Sequence, residues 1–314
     1  MITMRRDAWR SLGPVSVGGV TLANPVMTAS GTSGHDVELG HYMDLSALGA
    51  VVVKSLYHEP WAGNPAPRVH VAGAGMINAV GLEGPGVLAW CNDSLPRLEA
   101  AGAVTVVSIW GRGVDEYRRA AELLAPFAGR IAAVEVNLSC PNLEGRNSIF
   151  AHDAQLSAEV IGAVTDEITV PVWAKLSANT DRLLDVVAST TGAGASAVTL
   201  INTMLGMQID TRTGRPSLGN GGGGLSGSSI HPIAVRAVHD VASHHPGVDI
   251  IGVGGISSGE DAVEMMMAGA RCVQVGTATF ARPDACARVL DGAARLVRRR
   301  GGSSWSAVHR LAHG

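Results

Sequence analysis

Residues 131–140 read IAAVEVNLSC. Apolar side chains alternate through Val136, the period of a strand buried by its surroundings. The run then breaks at Asn137, Ser139 and Cys140, with Pro141 and Asn142 directly after. An apolar run that stops at a polar cluster recurs along the chain. It is found in NPVMTAS (24–30), AVVVKS (50–55), VTVVSIWG (104–111) and VPVWAKLS (170–177). SAVTLINT (196–203), VDIIGVGG (248–255) and RCVQVGTA (271–278) complete the set, and with 131–140 the count is eight.

Helix-like stretches lie between most of these runs, among them residues 114–129, 153–168 and 258–270. Ser258 followed by Glu260 and Asp261 predicts a helix start, because a hydroxyl and two carboxylates suit unpaired N–H groups. Near-continuous apolar strands alternating with helices imply a parallel sheet covered on both faces. Eight such units predict a single-domain (β/α)8 TIM barrel over residues 1–314, core about 15–290, with insertions at its C-terminal face. The competing architecture is a doubly wound sheet with a second domain.

The totals agree. Of 314 residues, 46% are apolar and 16% charged, enough to bury a large core. Forty glycines and fourteen prolines are spread along the chain, as many short turns require. A net charge of −3 argues against nucleic acid or anionic membrane as a partner. The one dense basic run, VRRRGG (297–302), reads as a helix end, where cations complement the helix dipole. Cys91, Cys140, Cys272 and Cys286 form no C-x-x-C pair and no metal-ligand spacing. The N-terminus lacks the apolar region of a signal peptide, and the uncharged segment 186–209 is too interrupted by Ser, Thr, Gly and Asn for a membrane span. The expectation is a cytoplasmic protein.

In a barrel of this kind chemistry gathers at the C-terminal ends of the strands. In order, those ends carry Ser30, Lys54-Ser55, Ser108, Asn137 with Cys140, Lys175, Asn202-Thr203, Gly254-Gly255 and Gly276-Thr277. Lys54 and Lys175 each follow an apolar run, although lysine is seldom buried without a partner. The bland alternative is a side chain that snorkels out of the mouth. Gly254-Gly255 and Gly276-Thr277, after strands seven and eight, predict a phosphate seat of bare backbone N–H groups with a helix N-terminus facing the anion.

GGGLSG (222–227) matches a dinucleotide fingerprint, but no strand precedes it, so a mobile loop above the mouth is expected instead. Two long insertions, 56–103 and 204–230, fall on the catalytic face. The first contains Asn78, Gly81 and Leu82 as candidates to reach the mouth.

Two lysines, the amides Asn78, Asn137, Asn142 and Asn202, small hydroxyls and one thiol suit a planar, mildly anionic substrate with donors and acceptors along its edge. A lysine beside a phosphate-anchored ring suits a cofactor that becomes anionic on reduction, such as flavin mononucleotide.

The motifs NPVMTASGT, NAVGLEGPG, NLSCPN, VWAKLS, INTMLGM, GLSG, GVGGI and QVGTATF, in this order over about residues 15–285, resemble class 1 dihydroorotate dehydrogenase. The resemblance implies that Cys140 is the catalytic base and Lys175 a catalytic and flavin-contacting cation. It places Ser30, Lys54, Ser55, Ser108, Asn137, Ile201, Gly227, Gly254, Gly255, Gly276 and Thr277 with the flavin. Lys54, Asn78, Ala79, Val80, Gly81, Leu82, Asn137, Asn142, Asn202 and Thr203 fall with the pyrimidine. Ser108 departs from the pattern, standing where close relatives carry Asn. The implied reaction oxidises (S)-dihydroorotate to orotate in pyrimidine biosynthesis, hydride going to FMN N5 while Cys140 takes the C5 proton. Gly145 could hinge a lid, and the other cysteines are assigned to packing.

INTMLGMQIDTRTGRPSLGNGGGGLSG looks like the NAD-linked class 1B form. That form implies a partner subunit carrying FAD and a [2Fe–2S] cluster, for which this chain lacks four suitably spaced cysteines. A homodimer, or a heterotetramer with that iron–sulfur flavoprotein, is expected. Quinone is disfavoured, since no amphipathic helix pair precedes NPVMTAS. The alternatives are a flavin barrel acting on another pyrimidine or using another acceptor such as fumarate, and a flavin-free lyase or aldolase with Lys54 or Lys175 as Schiff base.

Overall fold

The computed structural model describes residues 9–139 and 150–314. Cys140, Pro141, Asn142 and Gly145 therefore lie outside the described residues. The eight apolar runs form eight parallel strands: β1 Val26–Thr28, β2 Val51–Val52, β3 Thr105–Ile109, β4 Ala133–Asn137, β5 Val172–Leu176, β6 Ala197–Leu200, β7 Ile250–Val253 and β8 Cys272–Val275. Their order around the sheet is β1-β8-β7-β6-β5-β4-β3-β2, and a parallel bridge between Met27 and Ala50 joins the ends. Closure leaves no free edge, so the doubly wound alternative is excluded.

The helices α1 Val87–Asp93, α2 Leu95–Ala100, α3 Val114–Leu124, α4 Ala154–Thr165, α5 Leu183–Gly192, α6 His231–His244, α7 Gly259–Ala268, α8 Ala278–Ala281 and α9 Ala285–Arg299 surround it. Helix α3 buries Tyr117, Ala120, Ala121 and Leu124, the i, i+3, i+4, i+7 stripe of a helix lying on a sheet. Asp153 caps α4 by accepting from Leu156 N, and the basic run closes α9 with Arg298 and Arg299 in its last turn. Segment 186–209 resolves into the end of α5, a turn and β6, and no helix among the described residues is long and apolar enough to cross a membrane.

Because successive strand residues face opposite sides, alternate residues fill the barrel. Its lower layer is apolar: Met27, Val52, Val106, Ala133, Trp173, Ala197, Ile251 and Cys272 share a cluster with Val17 and Leu22. The last two come from a hairpin, Val15–Val17 paired with Val20–Leu22, that plugs the barrel from below. Trp173 Nε1 donates to Gly18 O at 3.1 Å, and Gly18 N donates to an Asp249 carboxylate oxygen at 2.8 Å. The plug is thus pinned from two strands.

Above the barrel the two insertions do not stay separate. Val69–Ala72 and Gly75–Asn78 from the first join Met204–Gly206 and Gly223–Gly227 from the second in one antiparallel sheet. The expected mobile loop at GGGLSG is consequently corrected: Gly223–Gly227 is the strand that joins the two insertions. Its glycine content has a packing cause. A Cβ on Gly224 would collide with Thr203 Oγ1, so only glycine lets the rim sheet approach the end of β6 this closely.

Truncating the plug's anchor tests this layer. Trp173→Ala should lower the unfolding free energy by about 3–5 kcal/mol, the usual loss for a large buried aromatic. Urea denaturation measures it; a loss within experimental scatter of zero would mean that the hairpin stabilises nothing.

Candidate active site

The strand ends and the rim sheet enclose a cavity of about 720 Å³, within the range of cofactor-binding clefts. Ser30, Lys54, Ser55, Asn137, Lys175, Ile201, Asn202, Thr203, Gly227, Gly254, Gly255, Gly276 and Thr277 all line it, as do Asn78, Val80, Gly81 and Leu82 from the first insertion. Among the described residues, two expected ones do not. Ala79 points into a small apolar cluster with Ile77 and Leu218, as strand alternation after Asn78 requires. Ser108 is fully buried behind Ser55, whose hydroxyl it meets at 2.8 Å, so it supports the lining instead of forming it.

The polar groups are wired together. Asn202 Nδ2 donates to Asn137 Oδ1 at 3.1 Å, and Asn137 Nδ2 donates to Ser55 Oγ at 3.2 Å. Asn137 is fixed from the helix side as well, its carbonyl accepting from the Tyr117 hydroxyl at 2.6 Å. Since an amide's two ends differ, this chain of bonds dictates which edge of each asparagine is spoken for. Asn179, unnoticed in the sequence, bridges Ser177 Oγ at 2.7 Å and Thr203 O at 3.0 Å, and so sets the β6 exit.

At the opposite end, Gly254 and Gly255 have φ of 139° and 68°. At Gly255 a Cβ would lie 2.7 Å from His231 Cβ and 2.8 Å from Gly227 O. Only glycine satisfies both the dihedral and the space. His231 Nδ1 meets Gly254 O at 2.8 Å and its Nε2 meets Glu264 at 3.2 Å, bracing the turn. Thr277 Oγ1 donates to Ser226 Oγ at 2.8 Å, tying the last strand end to the rim sheet. Ser258 and Asp261 form the expected helix start as a reciprocal capping box. The Asp261 carboxylate accepts from Ser257 N at 2.8 Å and from Ser258 N at 2.9 Å, which fixes the turn that leads into α7. The backbone of Gly254-Gly255 and Gly276-Thr277 lines this end of the cavity.

Both lysines are held inside. Lys54 is largely buried, and burial, only partly opposed by Glu83, pulls its pKa below the usual lysine value. Lys175 is 4% exposed, and its Nζ donates to Gln274 Oε1 at 2.9 Å and stands 3.4 Å from Glu135 Oε1. Neither lysine snorkels out of the mouth. Glu135 and Gln274 were missed in the sequence. The available signal was a charged residue in the middle of a run otherwise destined for burial. Cys91, Cys272 and Cys286 are buried, and burial pushes all three thiols up, Cys91 and Cys286 to about 12. They pack, as expected.

Cations and amides around a cavity at the C-terminal end of the strands define an α/β barrel with a site suited to a planar, polar ligand. The family model for dihydroorotate dehydrogenase matches residues 14–297. The chain is 47% identical over 275 residues to the dihydroorotate dehydrogenase B (NAD(+)) catalytic subunit of Desulforudis audaxviator, covering 88% of this chain and 89% of that one. Proteins of the same name from Alkaliphilus oremlandii (43% over 283 residues, 90% and 92% covered) and Bacillus pumilus (41% over 277 residues, 88% and 89% covered) are also similar. This chain belongs to the dihydroorotate dehydrogenase family and is an oxidoreductase acting on a CH–CH bond.

The lowered Lys54 pKa has a consequence for ligand binding. A bound carboxylate favours the ammonium form, which is lost as pH rises through that lowered value. Orotate affinity should therefore fall between neutral pH and pH 10 in equilibrium titrations, and Lys54→Met should flatten this dependence.

Proposed function

We propose that this chain oxidises (S)-dihydroorotate to orotate in pyrimidine biosynthesis, with FMN held in its own cavity. The observation that carries the reading is the convergence of Lys54, Lys175, Asn78, Asn137 and Asn202 on one cavity that ends at a glycine-built seat. FMN suits the residues present, because the seat at Gly254-Gly255 is shaped by backbone that a Cβ would fill. Gly254, Gly255, Gly276 and Thr277 would take its phosphate, and Ser30, Lys54, Ser55, Asn137, Lys175, Ile201 and Gly227 would surround its ring. When bound, FMN supplies the acceptor for the hydride that leaves C6 of the substrate.

The chain's own residues do the rest. Lys54 pairs with the substrate carboxylate in a place where water is scarce, so the attraction is strong. Asn78, Asn137, Asn142 and Asn202, with Thr203, bond the alternating carbonyl and N–H groups of the pyrimidine edge, and Val80, Gly81 and Leu82 bound its other side. Leu82 has φ of 60°, a left-handed conformation costly for leucine, and follows Gly81, whose carbonyl accepts from Trp61 Nε1 at 2.9 Å. Cys140 removes the C5 proton as the C5=C6 double bond forms. Pro141 restricts the backbone of the cysteine before it.

A partner subunit carrying FAD and a [2Fe–2S] cluster would supply the route by which the electrons reach NAD. The relatives' name, a catalytic subunit of an NAD-linked enzyme, supports this reading. The working assembly is a homodimer joined by two such partners, in the cytoplasm.

The thiol step is testable by pH. A cysteine of pKa about 8.5 is mostly protonated at neutral pH, so anaerobic flavin reduction by dihydroorotate should accelerate from pH 6 to 9. Stopped-flow absorbance near the flavin band measures it. Cys140→Ala should be slower by about 100-fold or more, yet still yellow and still able to bind orotate. A colourless protein as purified, or a flat profile shared by the parent and Cys140→Ser, would overturn the reading. Adding NAD or fumarate after substrate, with and without co-purifying protein, identifies the acceptor.

A further inference from the structure

Directly above the apolar floor, the barrel interior turns polar. Glu135 on β4, Lys175 on β5, Thr199 on β6 and Gln274 on β8 all point inward, and all are essentially inaccessible to water. Glu135 has no exposed surface. Its Oε2 accepts from Gln274 Nε2 at 2.6 Å and from Thr199 Oγ1 at 3.1 Å. Its Oε1 stands 3.4 Å from Lys175 Nζ but makes no hydrogen bond, so that contact is an ion pair without bonding alignment.

A fully buried carboxylate in a barrel needs a reason. Packing does not require it, because an apolar residue would fill the space without the cost of desolvating a charge. The bonds suggest a purpose. By accepting from its N–H2 group, Glu135 fixes the Gln274 amide in one orientation. The opposite end of that amide, Oε1, then faces Lys175 and accepts from it at 2.9 Å. One carboxylate thus balances the ammonium's charge and, through Gln274, fixes its direction, while Lys175 lines the cavity above.

We propose that Glu135 is a positioning residue for the reaction: through Gln274 it holds the Lys175 ammonium at the cavity floor and neutralises its charge, so that the bound ring rests on an ion pair and not on a free cation. The proposal rests on the FMN reading for its ring, and on the described residues alone for the pair. The groups facing Lys175 from neighbouring strands are Glu135, Thr199 and Gln274. Lys54 lies across the same cavity, and Cys272 belongs to the apolar layer below.

The test is a double-mutant cycle on the full chain as purified, with Glu135→Gln, Lys175→Met and the two combined. Each single change leaves a buried charge without its partner, so each should lower the melting temperature by about 6–12 °C. The double variant should recover most of that loss. Losses that simply add would overturn the pairing. This arm is indifferent to which ligand the protein carries.

The second arm uses sulfite, which adds to an oxidised flavin and leaves a negative charge on the ring. With the ammonium unbalanced, Glu135→Gln should bind sulfite about tenfold or more tighter than the parent at pH 6. That gain is the readout of the unbalanced ammonium. It should be absent from the double variant. A Glu135→Gln protein with parental sulfite affinity at every pH would overturn the proposal. A coupled melting cycle in a protein that takes up no flavin would instead preserve the pairing and remove the FMN reading.

Discussion

Closing eight parallel strands into a ring forces every second residue of each strand into a space that water does not reach. That constraint organises this molecule from bottom to top. At the bottom the enclosed residues are apolar, and the Val15–Leu22 hairpin seals them around Trp173. One pleat higher the same strands place Glu135, Lys175, Thr199 and Gln274 in the same confined volume, where each polar group must be satisfied by another. Higher again come Asn137 and Ser55, wired to each other and open to the cavity. The mouth thus stands on two enclosed layers, one packed and one wired by side-chain bonds.

The upper wall is made differently. Strand alternation cannot supply it, since the barrel ends there, so two insertions far apart in sequence pair with each other. Their meeting depends on backbone approaching backbone and side chain closely, which explains glycines that resemble a nucleotide motif and are not one. The rim sheet brings Asn78 to the cavity, with Asn78 Nδ2 donating to Gly224 O at 3.2 Å. Thr277 and Ser226 then join the rim to the last barrel strand. The seat and the wall therefore form one bonded unit.

Glycine, histidine and carboxylate share the work at that seat. Gly255 supplies a dihedral that other residues avoid, His231 braces the carbonyl of Gly254, and Asp261 closes the adjacent helix end.

The architecture was legible in the residues themselves. Apolar runs with polar ends, spaced by helical stretches, determine both the barrel and the end of it that carries chemistry, because periodicity and turn chemistry are local properties. Lys54, Lys175, Asn137, Asn202 and the glycine pairs could be singled out for the same reason: each stands where an apolar run stops. The tertiary structure alone decided which polar residues meet. Glu135 and Gln274 are 139 positions apart yet share a hydrogen bond, and Ser108 turned out to back Ser55 where a cavity contact was expected. The glycine run became a strand only because its partner strand, from another insertion, was in reach. A residue's period tells which way it faces; what it faces depends on barrel closure and register, which are set by the whole chain at once.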